Sequence, residues 1–273
     1  MDSLEEKLNE IDTLKKKLDE LQLLDANTVS SIKMCHKTSI IYNAILGKDN
    51  TFTPQEINEL LLHGNTISGK SDDEHSEIKD HKEALDYIEE LASKKMTELC
   101  KIDIINIHTI LFKNIAPQIA GKYRTEEIWV LTDTGEKYEV CNHLSIAEEM
   151  ESFFDWLFSE RNEHPVITAS EAHNRFVAIH PFLEGNGRTG RLIMNLVLLQ
   201  NGYKPVIIYS LHKEKYTVAI RSWRENKKMI SITSLQILKK AAWMTIIGEH
   251  NAITIPFPKS FIPAPLTIST RTH

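Results

Sequence analysis

A chain of 273 residues with 41% hydrophobic and 26% charged residues, 10 Gly and 9 Pro has the composition of a globular protein with a substantial core, which excludes the collagen, low-complexity and wholly disordered classes. Its 38 acidic side chains against 32 basic ones leave a net charge of -6, so there is no electrostatic case for nucleic acid as a partner. The cysteines, Cys35, Cys100 and Cys141, lack C-x-x-C spacing; they support neither a disulfide framework nor a zinc site and fit a reducing compartment.

The first residues, MDSLEEKLNEID, are acidic where a signal peptide needs a basic and then an apolar region. No apolar run approaches the roughly 18 to 20 residues that cross a bilayer. The expectation is a cytoplasmic protein with no membrane partner. Leu4, Leu8, Ile11, Leu14, Leu18 and Leu21 give residues 2–24 the stripe of an amphipathic helix, which either packs on the rest of the molecule or forms a coiled-coil seam with a partner. A second helix is predicted from Thr28 to Leu46. Thr53-Pro54-Gln55-Glu56 is a capping box with proline at the first helical position, opening a helix through Leu62. The segment His63–Ser76, with Gly64 and Gly69, reads as a loop before a long helix around Ile78–Lys94, and another helix follows at 103–114.

Glu127–Leu131 and Lys137–Cys141 are short β-prone runs flanking Thr132-Asp133-Thr134-Gly135, the pattern of a hairpin. Ser145-Ile146-Ala147-Glu148 and Thr168-Ala169-Ser170-Glu171 read as two further capping boxes, opening helices through Ser159 and Ile179. Gly187–Gln200 is apolar nearly all round below its first turn, the mark of a helix buried at the centre of the fold. Helices are predicted near 212–224 and 230–247. The tail from Ile255, with Pro256, Pro258, Pro263 and Pro265, reads as extended or disordered. A helical body with one hairpin results.

The chemistry concentrates in His180-Pro181-Phe182-Leu183-Glu184-Gly185-Asn186-Gly187-Arg188-Thr189-Gly190-Arg191, between two predicted helices. Gly185 and Gly187 allow successive N–H groups to turn toward one point, and the following helix N-terminus adds its positive end, so the segment is an anion nest. Arg188 and Arg191, three apart, aim two guanidinium forks at the same region. Glu184 beside them would tolerate phosphate oxygens through a shared divalent cation. Histidine side chains ordinarily titrate near pH 6.5, which makes His180 a natural proton acceptor. Nest, carboxylate and base together describe nucleotide phosphate chemistry. Eight fixed positions of this kind recur by chance about once in 10^10 windows at roughly 5 to 7% usage per residue type.

These residues resemble the signature of the Fic family, His-Pro-Phe-x-[Asp/Glu]-Gly-Asn-Gly-Arg-x-x-Arg, at every position. Gly121-Lys122-Tyr123-Arg124, Arg175–Ile179 and Asn201–Ile208 are similar to the family as well, so the resemblance spans roughly residues 38–245. It implies an all-α Fic fold: a helical bundle with a small β-hairpin flap and an N-terminal helical extension. The implied layout is an extension over 1–100, a catalytic core over 101–250 and the proline-rich tail over 251–273. The implied activity is AMP transfer from ATP to a Ser, Thr or Tyr hydroxyl of a protein target, itself included. By the resemblance, His180 deprotonates the hydroxyl, Glu184 holds Mg²⁺, Gly185, Asn186, Gly187 and Arg188 bind phosphate oxygens, Arg191 takes the γ-phosphate and Tyr216 lines the adenine pocket. Phe182 is expected to plug the loop into the core, and the hairpin near 127–140 to be the flap that pairs with an extended target. Cys141 is expected to be a packing residue. Homodimer formation stays open.

Many family members with such an extension carry an inhibitory [Ser/Thr]-x-x-x-Glu-[Gly/Asn] helix. Counting back from Asn50-Thr51-Phe52-Thr53 puts Ala44, Lys48 and Asp49 at its three positions, and the other register, Thr38 to Tyr42-Asn43, puts Tyr where Glu belongs. Either way the glutamate is absent. Two alternatives to AMP transfer stand beside it: transfer of phosphate or another part of the donor on the same fold, and ATP-dependent binding without catalysis.

Overall fold

A computed structural model describes residues 4–20, 26–45, 50–131, 137–208 and Ile220, and helices dominate them. In chain order they form α1 (Leu4–Glu20), α2 (Ala26–Ile45), α3 (Pro54–His63), α4 (Asp72–Leu91), α5 (Lys101–Phe112), the strands β1 (Trp129–Leu131) and β2 (Lys137–Glu139), then α6 (Ile146–Phe158), α7 (Pro165–Ile179) and α8 (Asn186–Gln200). The helices expected at 212–224 and 230–247, the tail, Tyr216, Lys48 and Asp49 lie outside the described residues.

Local chemistry explains most boundaries, and it also explains where the readings above need correcting. Thr53 caps α3 as expected, its hydroxyl accepting from the Glu56 amide at 3.3 Å while the Thr53 amide donates to the Glu56 carboxylate at 2.7 Å. The loop expected through Ser76 ends earlier. Ser71 and Glu74 form a reciprocal capping box, and α4 starts at Asp72. Conversely, Ser145 makes no side-chain cap; Asn142 does that work for a 3-10 turn, its side chain accepting from the Leu144 amide at 2.9 Å. Thr168 lies inside α7, which opens three residues before it at Pro165 behind His164. Proline at the first helical position fixes φ and gives up an N–H that had no partner, so it starts the helix ahead of the Thr168 signal.

α8 runs through the middle of the bundle against α7, α4 and α5. Leu192, Ile193, Leu196, Val197 and Leu198 are all buried, as the all-round apolar pattern requires. Gly190 lets α7 close on it, since a Cβ there would stand 3.0 Å from Val177. Past α8, the Asn195 side chain imitates a strand neighbour, bonding the Val206 N–H at 2.8 Å and C=O at 3.3 Å. The arrangement pins residues 203–208 along the helix. α1 packs on this body: Ile11 and Leu14 are buried, and Asp12 accepts from the Tyr203 hydroxyl at 2.6 Å. Of the two readings for that helix, packing on the molecule is the one observed. β1 and β2 pair antiparallel, with Trp129 opposite Glu139, Val130 opposite Tyr138 and Leu131 opposite Lys137.

Candidate active site

The turn from α7 to α8 brings the predicted residues to one place. His180 is the C-cap of α7 in the left-handed conformation (φ 54°, ψ 58°), and its N–H bonds the Phe176 carbonyl at 3.0 Å. Among the described residues no other non-glycine has positive φ. A residue held this way costs of order 1 to 3 kcal/mol, a cost accepted where the surroundings impose it. The ring Nδ1 lies 3.2 Å from the Val177 carbonyl. A carbonyl only accepts, so Nδ1 carries the hydrogen and Nε2 the basic lone pair.

Phe182 anchors the loop as expected: it is 1% exposed and stacks on the His108 ring at 3.7 Å. Asn186 is buried too, and its amide closes the loop by bonding the Phe182 N–H at 2.9 Å and C=O at 2.7 Å. Its side chain therefore faces the core, so the anion role assigned to it falls to its backbone N–H. His108, on α5, ties this loop to the chain before the hairpin. It accepts from the Gly121 N–H at 2.9 Å on Nδ1 and donates from Nε2 to the Glu184 carbonyl at 3.0 Å. Burial lowers its pKa to about 4, which keeps the ring neutral and the pair of bonds intact at neutral pH. Gly185 is obligatory for two reasons: φ is 78°, and a Cβ would lie 2.2 Å from the Phe112 ring.

With glycine at its N-cap, α8 begins without a side-chain cap. Its first amides, which like those of any helix lack intrahelical partners, therefore receive no side-chain cap from Gly185, and the positive end of the helix lies behind them. Arg188, one turn in, is 4% exposed. Its Nη1 meets the Glu77 carboxylate of α4 at 2.5 Å, its plane lies 4.7 Å over Phe112, and its Nε has no hydrogen-bond partner. Glu77 in turn accepts from the Asn50 amide at 2.9 Å. Glu184 is exposed, with Oε1 3.8 Å from Arg188 Nη2. Arg191 lines a small cavity with Ile40 and Ala44 of α2, His81 of α4, Arg188, and Val206. Ala44, placed at the first inhibitory position by the preferred register, thus shares a cavity with the second arginine of the motif.

Among the described residues no group of three or more His, Cys, Asp or Glu could enclose a metal ion. A single exposed carboxylate, Glu184, next to an anion nest is nonetheless a donor set that Mg²⁺ can use when phosphates and waters complete its sphere. Cys141 is half-buried, with its thiol pKa raised chiefly by burial, as suits a packing residue.

His81 offers a test of how this site responds to acid. It is buried, its Nδ1 has no partner, and its pKa falls to about 3, first through burial and then through Arg188 and Arg191. The unfolded chain binds this proton near pH 6.5 and the folded chain near 3, so stability is lost as pH falls through that window, by up to about 1.4 kcal/mol per pH unit. Urea unfolding of wild type and His81→Phe across pH 4 to 7 is expected to show a shallower acid slope in the variant; parallel slopes would remove His81 from the acid response.

The structure therefore gathers His180, Glu184, Gly185, Asn186, Gly187, Arg188 and Arg191 within one turn and the helix it opens. Glu77 and His108 escaped the sequence reading, and Asn50 entered it only as a marker of register, not as the partner of Glu77. The Ser71–Glu74 box, once recognised, would have put Glu77 on a helix.

Residues 98–198 match the Fic/DOC family. Two similar proteins are each named protein adenylyltransferase Fic. That of Nematostella vectensis is 33% identical over 215 residues, covering 78% of this chain and 49% of that one. That of Drosophila willistoni is 36% identical over 178 residues, covering 64% and 34%. The chain thus spans between a third and a half of the length of these curated relatives. Among solved structures, a Fic domain containing signaling protein from Bacteroides thetaiotaomicron superposes with a TM-score of 0.76 at 25% identity, over 88% of this chain and 97% of that one. Fic-1 from C. elegans also gives 0.76 at 25% identity, over 91% and 73%.

Proposed function

We propose that this chain, whose residues 98–198 match the Fic/DOC family, transfers AMP from ATP to a Ser, Thr or Tyr hydroxyl of a protein, itself included. One observation carries the reading: a histidine whose Nδ1 faces the Val177 carbonyl, leaving the basic lone pair on Nε2, begins the turn that leads into α8, a helix with no side-chain cap that carries Arg188 and Arg191 in its first two turns. Binding alone requires no base. Similar proteins named protein adenylyltransferase Fic support the same activity.

In this reading, His180 Nε2 takes the proton of the acceptor hydroxyl as its oxygen attacks the α-phosphorus. A new P–O bond forms, the bond to the bridging oxygen breaks, and pyrophosphate leaves with the electron pair. The amides of Gly185, Asn186 and Gly187 bind phosphate oxygens. Arg188, held from behind by Glu77, presents its remaining donors to the same group, and Arg191 takes the γ-phosphate. Glu184 would hold Mg²⁺, which when bound offsets the charge of the donor phosphates. The hairpin edge accepts an extended target segment by strand addition. Lys48 in place of the inhibitory glutamate leaves Arg191 without that competitor, so the wild-type protein is active without mutation.

Mass spectrometry after incubation with ATP and Mg²⁺ tests the reading. A gain of one AMP on the protein or a lysate target supports it, a gain of phosphate shifts it to kinase chemistry, and ATP binding with no gain reduces it to a nucleotide-binding module. The arginine assignment has its own check by calorimetry. Arg191→Ala is expected to weaken ATP more than ADP, since only ATP offers a γ-phosphate; equal losses would refute it.

A further inference from the structure

Arg124 lies between the hairpin and the base, and no part of the mechanism above uses it. Its side chain is fully buried. Three of its donors go to three backbone carbonyls from separate stretches of chain: Nε to His180 at 2.9 Å, Nη1 to Glu126 at 2.8 Å, and Nη2 to Cys141. Glu126 lies three residues before β1 and Cys141 two residues after β2, on the two chain segments that lead into and out of the hairpin and form its feet. The Arg124 backbone adds a fourth tie, its N–H bonding the Pro181 carbonyl at 2.9 Å, and Tyr123 bridges Phe182 beside it. Across the same feet, Glu127 accepts from His143 Nδ1 at 2.9 Å.

We propose that Arg124 is a positioning residue that locks the left-handed His180 to both feet of the hairpin, so that the surface offered to the target and the base that acts on its hydroxyl move as one body. The physical case rests on the fork. A helix C-cap leaves its carbonyl without an intrahelical donor, and in a buried turn that orphan must be satisfied or the conformation relaxes. A planar guanidinium has five donors in fixed directions, so three carbonyls bound at once are fixed relative to one another. An ammonium is a compact point charge on a flexible stem and cannot span the same three acceptors. The phosphate nest is built from other bonds, those of Asn186 and His108, so it should survive loss of the fork.

The inference rests on the AMP-transfer reading for its kinetic part but not for its structural part. Arg124→Gln and Arg124→Lys are compared with wild type by transfer kinetics, ATP calorimetry and hydrogen–deuterium exchange. Both variants should bind ATP as wild type does, while kcat for transfer falls about 100-fold, the loss a misplacement near 1 Å can cause. KM for the protein acceptor should rise, and amides across residues 126–141 should exchange faster. Arg124→Lys keeps a cation in the buried site and so serves where Arg124→Gln fails to fold. A general structural role would instead lower ATP affinity and transfer together, and that outcome overturns the proposal, as does wild-type hairpin exchange in either variant. If wild type binds ATP but transfers nothing, the enzymatic reading falls alone, and hairpin exchange decides the clamp.

Discussion

Replacing His180 with alanine is expected to reduce AMP transfer by about 10² to 10⁴-fold, the usual worth of a positioned general base, while leaving ATP affinity close to that of wild type. The reasoning separates two sets of groups. The donor phosphates are assigned to the first amides of α8 and to Arg188 and Arg191, whereas the His180 ring is oriented by the Val177 carbonyl of α7. The imidazole acts on the acceptor. With Nδ1–H committed to the Val177 carbonyl, the second nitrogen is the acceptor of the hydroxyl proton. Alanine removes that function and also relieves nothing in the backbone, because φ stays positive; a modest stability loss accompanies the catalytic one. Autoadenylylation and ATP calorimetry on the same preparation check the claim. Transfer above about a tenth of wild type would contradict a base role of the size that general catalysis supplies.

Removing Glu77 is expected to cost about 3 to 5 kcal/mol of stability, because Glu77→Ala takes away the buried counter-charge that the Arg188 guanidinium meets at 2.5 Å and leaves it only the exposed Glu184 at 3.8 Å. Arg188 is 3% exposed at its side chain and Glu77 13%, so water cannot take over the lost partner. Burial already draws the Arg188 pKa down, Glu77 opposes that shift, and the arginine Nε has no partner to compensate. Glu77→Ala with Arg188→Met should recover much of the loss, since a buried pair replaced on both sides by apolar groups is near neutral. Urea unfolding of wild type, single and double variants reads both numbers. A single variant within about 1 kcal/mol of wild type would mean that the ion pair is screened after all. The double variant remains useful functionally: with the arginine gone, transfer should fall even though the fold has recovered.

What could be read without coordinates was what neighbours in sequence decide. The motif from His180 to Arg191 is contiguous, and its amides, arginines and carboxylate converge because one turn and one helix carry them. The same locality made the Thr53 cap, the buried character of α8 and the hairpin legible, since caps, periodicity and turn residues act over three or four positions. Locality also misled: Ser145-x-x-Glu148 stands at the start of α6 without making a side-chain cap, Thr168-x-x-Glu171 lies inside a helix that Pro165 opens, and Ser71-Asp72-Asp73-Glu74, a true box, stood in a stretch that two glycines marked as loop.

What the tertiary structure alone decided is how the motif is held. Glu77 reaches Arg188 across 111 residues, His108 reaches Glu184 across 76 and Arg124 reaches His180 across 56. No pattern within a helix or a turn specifies such pairs. They arise because α8 is buried between α4, α5 and α7, and every charge or carbonyl drawn into that interior with it must find a partner there. The sequence by itself determined the reactive groups and their order along the chain; the packing around α8 determined which of those groups face the nest, which face the core, and which distant side chains keep them there.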